Sequence, residues 1–411
     1  MIYLDYAAAT PVSKKALEAM KPYWAKEFFN PSSAYLPAKK VSADYEDAKA
    51  RIAHAIGAKA SDLVITAGAT EANNLAFTCL KTEFMFRSGP RPSVRKPRAA
   101  GANSRAAALR NAPSQNINPV LYLITEHDSV RRVAEYYGGQ AIKVLPSGVI
   151  DLEDLKNKIT DETELVSVSL VNNELGTVQP LAEVSEIIRQ VKLDRMKRGI
   201  KRQLLLHSDA SQALNLLEVN VARLGVDLLT LNSAKVYGPK GVGALYLSHD
   251  VKLRPLIVGG GQERALRSGT ENVPGVIGFA VAVEEAKKHI KSNRAKYKNL
   301  KNTLLQELEN YDLINRKHTL DNFIVLCYNG IDAERLVFLL EEKGVYVATG
   351  AACAASKGVR SHVLKAIGLT DEQIAGSLRL TIGELNDTEQ IHEVARIINQ
   401  VVALERNRIN S

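Results

Sequence analysis

Short apolar runs rich in β-branched residues recur through the first two-thirds of this chain, separated by stretches of helical periodicity. Residues 63–66, 121–124, 165–171, 204–206 and 228–231 each read as a buried strand. Between two of them, 181–196 places Val184, Ile187, Ile188 and Val191 at helical spacing. A strand that is apolar on both faces must be covered on both faces, and strand–helix alternation supplies that cover. The pattern predicts an α/β fold with a mostly parallel sheet between helices.

Beyond Pro274 the chain reads as one long helix to about Asn310. Strand, helix, strand, helix, strand, helix then follow at 322–327, 333–343, 345–348, 360–367, 377–382 and 388–404. This predicts a large domain over 1–290 and a smaller C-terminal α+β domain over 291–411. The boundary falls inside the long helix, and the N-terminal segment is able to pack with the smaller domain. Residues 82–119 break the pattern with five prolines and no sustained amphipathic period, and read as a basic, flexible insertion.

That insertion also accounts for most of the charge. It supplies six of the nine net positive charges, so the excess is local rather than a property of the folded body. Few aromatic residues interleave its bases, which argues against a nucleic-acid surface. No apolar run is long enough to span a bilayer. The acidic start Met1-Ile-Tyr-Leu-Asp5 does not read as a secretory leader. Three cysteines in 411 residues do not make a disulfide framework; they fit a reducing cytoplasm, where a lone thiol can act as a nucleophile.

Four islands carry chemistry-bearing residues. Thr66-Ala-Gly-Ala-Thr-Glu71 follows a strand and opens a helix, which suits an anion such as phosphate or simply a capped helix start. His207-Ser-Asp-Ala-Ser-Gln212 puts Asp209 at the carboxyl end of a strand, where such sheets bind ligands. A carboxylate there can pair with a protonated ring nitrogen, and it can equally cap a helix. Asn232-Ser-Ala-Lys235 places a lysine just past a buried strand, where desolvation favours Schiff-base chemistry. Asn232 and Ser233 are able to donate to a phosphate. Thr349-Gly-Ala-Ala-Cys-Ala-Ala-Ser-Lys357 surrounds Cys353 with small residues, unlike Cys327 in its apolar run. A loop of that kind is where a travelling thiol belongs. Cys79 reads as packing.

Further motifs accompany these islands: Tyr3-Leu-Asp-Tyr-Ala-Ala-Ala-Thr-Pro11, Asn30-Pro-Ser-Ser33, Thr125-Glu-His127, Val171-Asn-Asn-Glu-Leu-Gly176, Gly259-Gly-Gly-Gln-Glu-Arg264, Arg267-Ser-Gly-Thr270 and Ser377-Leu-Arg379. In this order the sequence closely resembles the NifS/IscS-like cysteine desulfurases, within the class-V aminotransferase-like, fold-type-I pyridoxal 5'-phosphate enzymes. The likeness covers nearly the whole chain. It implies that Lys235 bears the cofactor, His127 stacks on its ring, Asp209 pairs with the ring nitrogen and Gln212 bonds the phenolic oxygen. By the same resemblance Ala69, Thr70 and Ser233 hold the phosphate, with Asn232 and Ala234 beside it and Thr270 contributed by the partner of a homodimer. Asn30, Asn173 and Arg379 bind the substrate, the last two through its carboxylate, and Asn173 also borders the cofactor.

The implied reaction takes sulfur from L-cysteine onto Cys353 as a persulfide and releases alanine. Acceptor proteins for iron–sulfur assembly or tRNA thiolation would follow. The loop after Cys353 and its spacing to Val363-Leu-Lys-Ala-Ile-Gly368 resemble the first group of the family. Three features depart from the pattern. Ala234 stands where His usually precedes the lysine, which implies weaker cofactor retention, with Asn232 as a compensating donor. Tyr35 replaces a His after Asn30-Pro-Ser-Ser33, and the basic insertion is unusual. A selenocysteine lyase or an aminotransferase shares the fold, and a silent scaffold is the non-enzymatic alternative. Cys353 argues against transamination, which needs no protein thiol. The retained Lys235, Asp209, His127, Arg379 and Cys353 argue against a scaffold.

Overall fold

The structure is a computed structural model that describes residues 1–80, 119–349 and 360–411. The basic insertion, apart from Pro119, and Cys353 lie outside the described residues.

Seven strands form the main sheet in the order β2 (Leu63–Thr66), β8 (Gly243–Leu247), β7 (Leu228–Asn232), β6 (Leu205–Asp209), β5 (Leu165–Ser167), β3 (Val120–Leu123) and β4 (Gln140–Ile142). Only β8 runs against its neighbours; the pairs from β7 through β4 are parallel. Strand period two divides the side chains between two apolar layers. Leu63, Leu121, Val166, Leu206, Leu229 and Leu231 enter one, while Val64, Val120, Leu165, Leu205 and Leu228 enter the other. Covered on both faces, these strands need apolar residues at every position, which explains their unbroken apolar runs.

His207 lies within β6 and is fully buried, its Nδ1 2.8 Å from Ser167 Oγ and its Nε2 3.1 Å from Thr230 Oγ1. Burial pushes its pKa down to about 4, so a neutral imidazole stitches β5, β6 and β7 together.

The C-terminal part carries an antiparallel sheet in the order β12 (Ala348–Thr349), β13 (Ser377–Thr381), β10 (Phe323–Cys327) and β9 (Asp312–Leu313). The helix Val273–Glu307 packs on both Leu36–Ala55 and Thr388–Asn410, and so spans the two parts. The N-terminal strand β1 (Ile2–Tyr3) pairs in parallel with β11 (Val345–Tyr346), and Asp5 bridges to Thr381. The chain therefore starts on the C-terminal part before entering the main sheet. Among the described residues no helix is long and apolar enough to cross a membrane.

Two expected strands differ. The run 165–171 is a regular strand only to Ser167; the Val168 and Leu170 amides still donate to β6, and Asn172 then turns the chain, accepting from the amides of Glu174 (2.9 Å) and Leu175 (2.8 Å). The run 345–348 divides into β11 and β12, which pair with different partners, β1 and β13. Strands β1, β4 and β9 and the short helix Asp371–Ala375 were not foreseen; each is too short to show a period.

Gly176 closes the Asn172 turn at φ +70°, and a Cβ there would lie 2.4 Å from Phe323 Cγ on β10. Gly176→Ala combines left-handed strain with a core clash and should cost about 2 kcal/mol or more. Denaturant unfolding would measure it, and an unchanged midpoint would contradict the packing described.

Candidate active site

The carboxyl ends of β6 and β7 open onto a cavity of about 350 Å³ whose far wall comes from the C-terminal part. Asp209, Gln212, Asn232 and Lys235 line it from the sheet side, and Ser361, His362 and Arg379 from the other. Residues more than 140 positions apart thus share one small volume.

Lys235 ends a single 3-10 turn, Ser233–Lys235, begun when Asn232 Oδ1 accepts from the Ala234 amide (3.2 Å). Its Nζ donates to the carbonyls of Ala7 (2.7 Å) and Ala8. Gln212 Nε2 donates to the same Ala7 carbonyl at 2.9 Å. Thr10 fixes this crossing segment, donating through Oγ1 to Ala234 O (3.1 Å) and accepting from the Tyr237 amide (2.8 Å).

Asp209 accepts from Asn73 Nδ2 (2.9 Å) and from the Ser211 amide (2.9 Å), so both carboxylate oxygens are held. Asn73 Nδ2 also donates to Ser129 Oγ (2.8 Å), which meets His127 Nδ1 at 2.8 Å. Since His127 Nδ1 also accepts the Ser129 amide (3.1 Å), the neutral ring carries its proton on Nε2. One asparagine therefore ties the ring orientation of His127 to the carboxylate of Asp209.

Glu126 is fully buried on the cavity wall. Burial raises its carboxyl to about 8, the negative charge of Asp209 adds to the shift, and the Ser169 amide opposes it. Among the described residues its Oε2 has no hydrogen-bond partner, and neither do Ser169 Oγ and Ser211 Oγ on the same wall. Arg379 is 4% exposed, donating to Asp5 Oδ1 (2.6 Å) and to the Asn173 carbonyl (2.9 Å), while its Nε has no partner among the described residues. An unpaired buried guanidinium N–H beside a cavity invites a carboxylate.

Ala69 and Thr70 begin the helix Ala69–Ala76 after Gly68, which stands at φ +146°. Its first-turn amides have no partners within the helix and favour an anion. Asn232 and Ala234 border this opening, whereas Ser233 does not. Ser233 is fully buried, its Oγ without a partner among the described residues and 2.2 Å from where a Cβ on Gly238 would stand. The expectation that Ser233 faces the phosphate is corrected: the 3-10 turn that begins there packs Ser233 against Gly238 in the interior and leaves Asn232 and Ala234 on the opening. Asn30 is exposed, accepts from the Ser32 amide and does not line the cavity; Thr270 is exposed and does not line it either. Cys79 is buried, which pushes its thiol up to about 12, and Cys327 is buried in β10, as their apolar settings suggest.

The sequence reading passed over Asp5, Asn73, Glu126, Glu174, Ser361 and His362. Asp5, Glu126 and Glu174 sat inside the motifs already noted, and only the fold shows where they face.

The donor set fits pyridoxal 5'-phosphate. A lysine on the cavity floor, a carboxylate at a strand end, an amide-lined opening and unpartnered buried oxygens match an aldehyde, a ring nitrogen, a phosphate and ring substituents. Glu126 predicts a pH effect on the cofactor-free protein. Its folded pKa lies above the unfolded value of about 4.3, so stability falls as pH rises between the two. Glu126→Gln should raise the melting temperature relative to wild type by more at pH 8 than at pH 5. An equal change at both pH values would contradict a buried neutral acid.

Residues 2–90 and 99–394 match the family model described as Aminotransferase class-V. The chain is 35% identical over 411 residues to cysteine desulfurase IscS 1 of Archaeoglobus fulgidus, covering 98% of this chain and 97% of that protein. It is 34% identical over 415 residues to cysteine desulfurase IscS of Methanosarcina thermophila, covering 99% and 93%. Among solved structures it is similar to a NifS-like protein, with TM-score 0.82, 27% identity and coverage of 98% and 99%. A NifS-like protein from Rickettsia africae gives TM-score 0.80 and 26% identity, with coverage of 98% and 99%. Its fold, with matches spanning nearly its entire length, places this chain in the class-V aminotransferase family.

Proposed function

We propose that this chain is a cysteine desulfurase that uses pyridoxal 5'-phosphate to move sulfur from L-cysteine to Cys353, releasing L-alanine. The observation that carries this reading is the meeting of Lys235, Asp209, His127 and Arg379 around one cavity, in a chain whose full-length relatives are named cysteine desulfurases. Lys235 is the attachment point, Asp209 the ring-nitrogen partner, and Ala69, Thr70, Asn232 and Ala234 border the phosphate. When bound, the cofactor supplies an electron sink for the α-carbon of the amino acid.

The chain's own groups do the rest. Arg379, aimed by Asp5 and the Asn173 carbonyl, takes the substrate carboxylate and fixes its orientation. The Lys235 amine, once released by the substrate, rests on the Ala7 and Ala8 carbonyls and can hold the proton it removes from the α-carbon. His127, which lines the same cavity, is proposed as a second proton carrier through Nε2. At Cys353 the thiolate takes the sulfur: the carbon–sulfur bond breaks, a sulfur–sulfur bond forms, and the carbon is protonated to give alanine. Cysteine and a thiol thus become alanine and a persulfide, without an external oxidant. The segment bearing Cys353 leaves from β12, where Ala348 pairs with Arg379, and returns at Ser361 on the cavity wall, which supports this role.

The proposed assembly is a homodimer in which Thr270 reaches the partner's phosphate. Its exposure supports this, as does that of the nearby apolar residues Ile257 and Val258. The persulfide would pass to an iron–sulfur scaffold or a tRNA-thiolation carrier. The division at 290/291 is likewise a proposal, as is the substrate role of Asn30.

Purified with cofactor, the protein should be yellow and should release sulfide and alanine in equal amounts from L-cysteine with a reductant. Cys353→Ser should keep the colour and lose at least about 99% of sulfide release. A Cys353→Ser variant as active as wild type would refute the assignment.

A further inference from the structure

The turn over residues 171–178 presents a carboxyl that the reaction above leaves unused. Asn172 holds that turn through the Glu174 and Leu175 amides and donates from Nδ2 to Thr125 O at 2.8 Å. The Asn173 carbonyl, one residue on, accepts from Arg379. Glu174 lines the same cavity, and its Oε2 accepts from Ser361 Oγ at 2.5 Å. Among the described residues its carboxyl makes no other hydrogen bond. With the turn pinned on both sides, this carboxyl cannot withdraw from the cavity.

We propose that Glu174 is a specificity-determining residue that rejects amino acids with an anionic side chain, an inference that rests on reading the cavity as an amino-acid site. A substrate carboxylate docked on Arg379 shares that guanidinium with Asp5. A second negative charge on the substrate would then meet Glu174, and beyond it Asp128 at the start of the helix Asp128–Tyr136; Glu126 on the preceding turn, its carboxyl raised to about 8, opposes it less. Among the described residues, Arg379 and Lys235 are the cations on the wall, and Asp209 is a further carboxylate on the sheet side. The imidazoles of His127 and His362 also line it, and burial holds His362 below its usual range. A cysteine thiol is neutral and meets no such opposition, so the selectivity comes from a repulsive element rather than an added contact.

The pH dependence follows in sign. Burial raises the Glu174 carboxyl to about 7, while the Ser361 hydroxyl and Arg379 pull it down and Asp128 pushes it up. Rejection should therefore be strong at pH 8, where the carboxyl is ionised, and weak at pH 6, where it is largely neutral.

The test compares binding of L-serine and L-aspartate, a neutral and an anionic analogue, to the holoenzyme by calorimetry at both pH values. Wild type should prefer L-serine by on the order of tenfold more at pH 8 than at pH 6. Glu174→Gln keeps an acceptor for Ser361 and should lose most of that extra preference. Ser361→Ala keeps the carboxyl but removes the hydroxyl that pulls it down, so its rejection of L-aspartate should begin at higher pH than in wild type. Discrimination at pH 8 that survives in Glu174→Gln, or an onset that moves to lower pH in Ser361→Ala, would overturn the proposal. If wild type turns over cysteine but these variants behave so, only this inference falls. If wild type binds neither amino acid and yields no sulfide, the desulfurase reading falls with it.

Discussion

The site depends on a strap of backbone. Residues 5–10 run from the C-terminal sheet across the mouth of the main sheet, and almost every functional cation touches them. Asp5 holds Arg379, the carbonyls of Ala7 and Ala8 hold Lys235, and Thr10 pins the turn from which Lys235 projects. Strand β1 anchors the strap by pairing with β11, and the bridge from Asp5 to Thr381 brings it beside Arg379 on β13. Two side chains 144 positions apart in sequence are thereby set against a common backbone. Positioning of this kind removes orientational freedom before any substrate arrives.

Around that strap the protein accepts the cost of burying polar groups. Glu126 and His207 lie beside or beneath Asp209 and are biased to their neutral forms: at Glu126 burial and the Asp209 charge push the same way, and at His207 burial outweighs that charge. Asn73 distributes its two amide protons between Asp209 and Ser129, so the ring-facing carboxylate and the His127 imidazole are oriented by one side chain. Several wall oxygens have no partner among the described residues. In an ordinary core such orphans would be costly, and their concentration here marks a surface shaped for a polar ligand.

Much of this was legible in the sequence, for identifiable reasons. Buried strands announce themselves as unbroken apolar runs, so β2, β3 and β7 were placed to within one residue and β6 to within three, with Asp209 at a strand end and Lys235 just past one. The strap was not legible as structure, since β1 has two residues and its partner lies more than 340 positions away. Ser233 was misplaced because a motif gives neighbours without giving faces; the 3-10 turn after β7 buries Ser233 against Gly238 and leaves Asn232 and Ala234 on the opening. Asn73 and Glu174 were invisible for a related reason: one lies mid-helix and the other inside a turn, and only tertiary contact gives either a role.

The account turns on Lys235 being the covalent holder of the cofactor. Borohydride reduction of the purified holoenzyme followed by peptide mass mapping addresses that directly. The account predicts a reduced pyridoxyl adduct on the peptide containing Lys235, and on no other lysine. An adduct on a different lysine, or none from protein that carries the cofactor, would contradict it.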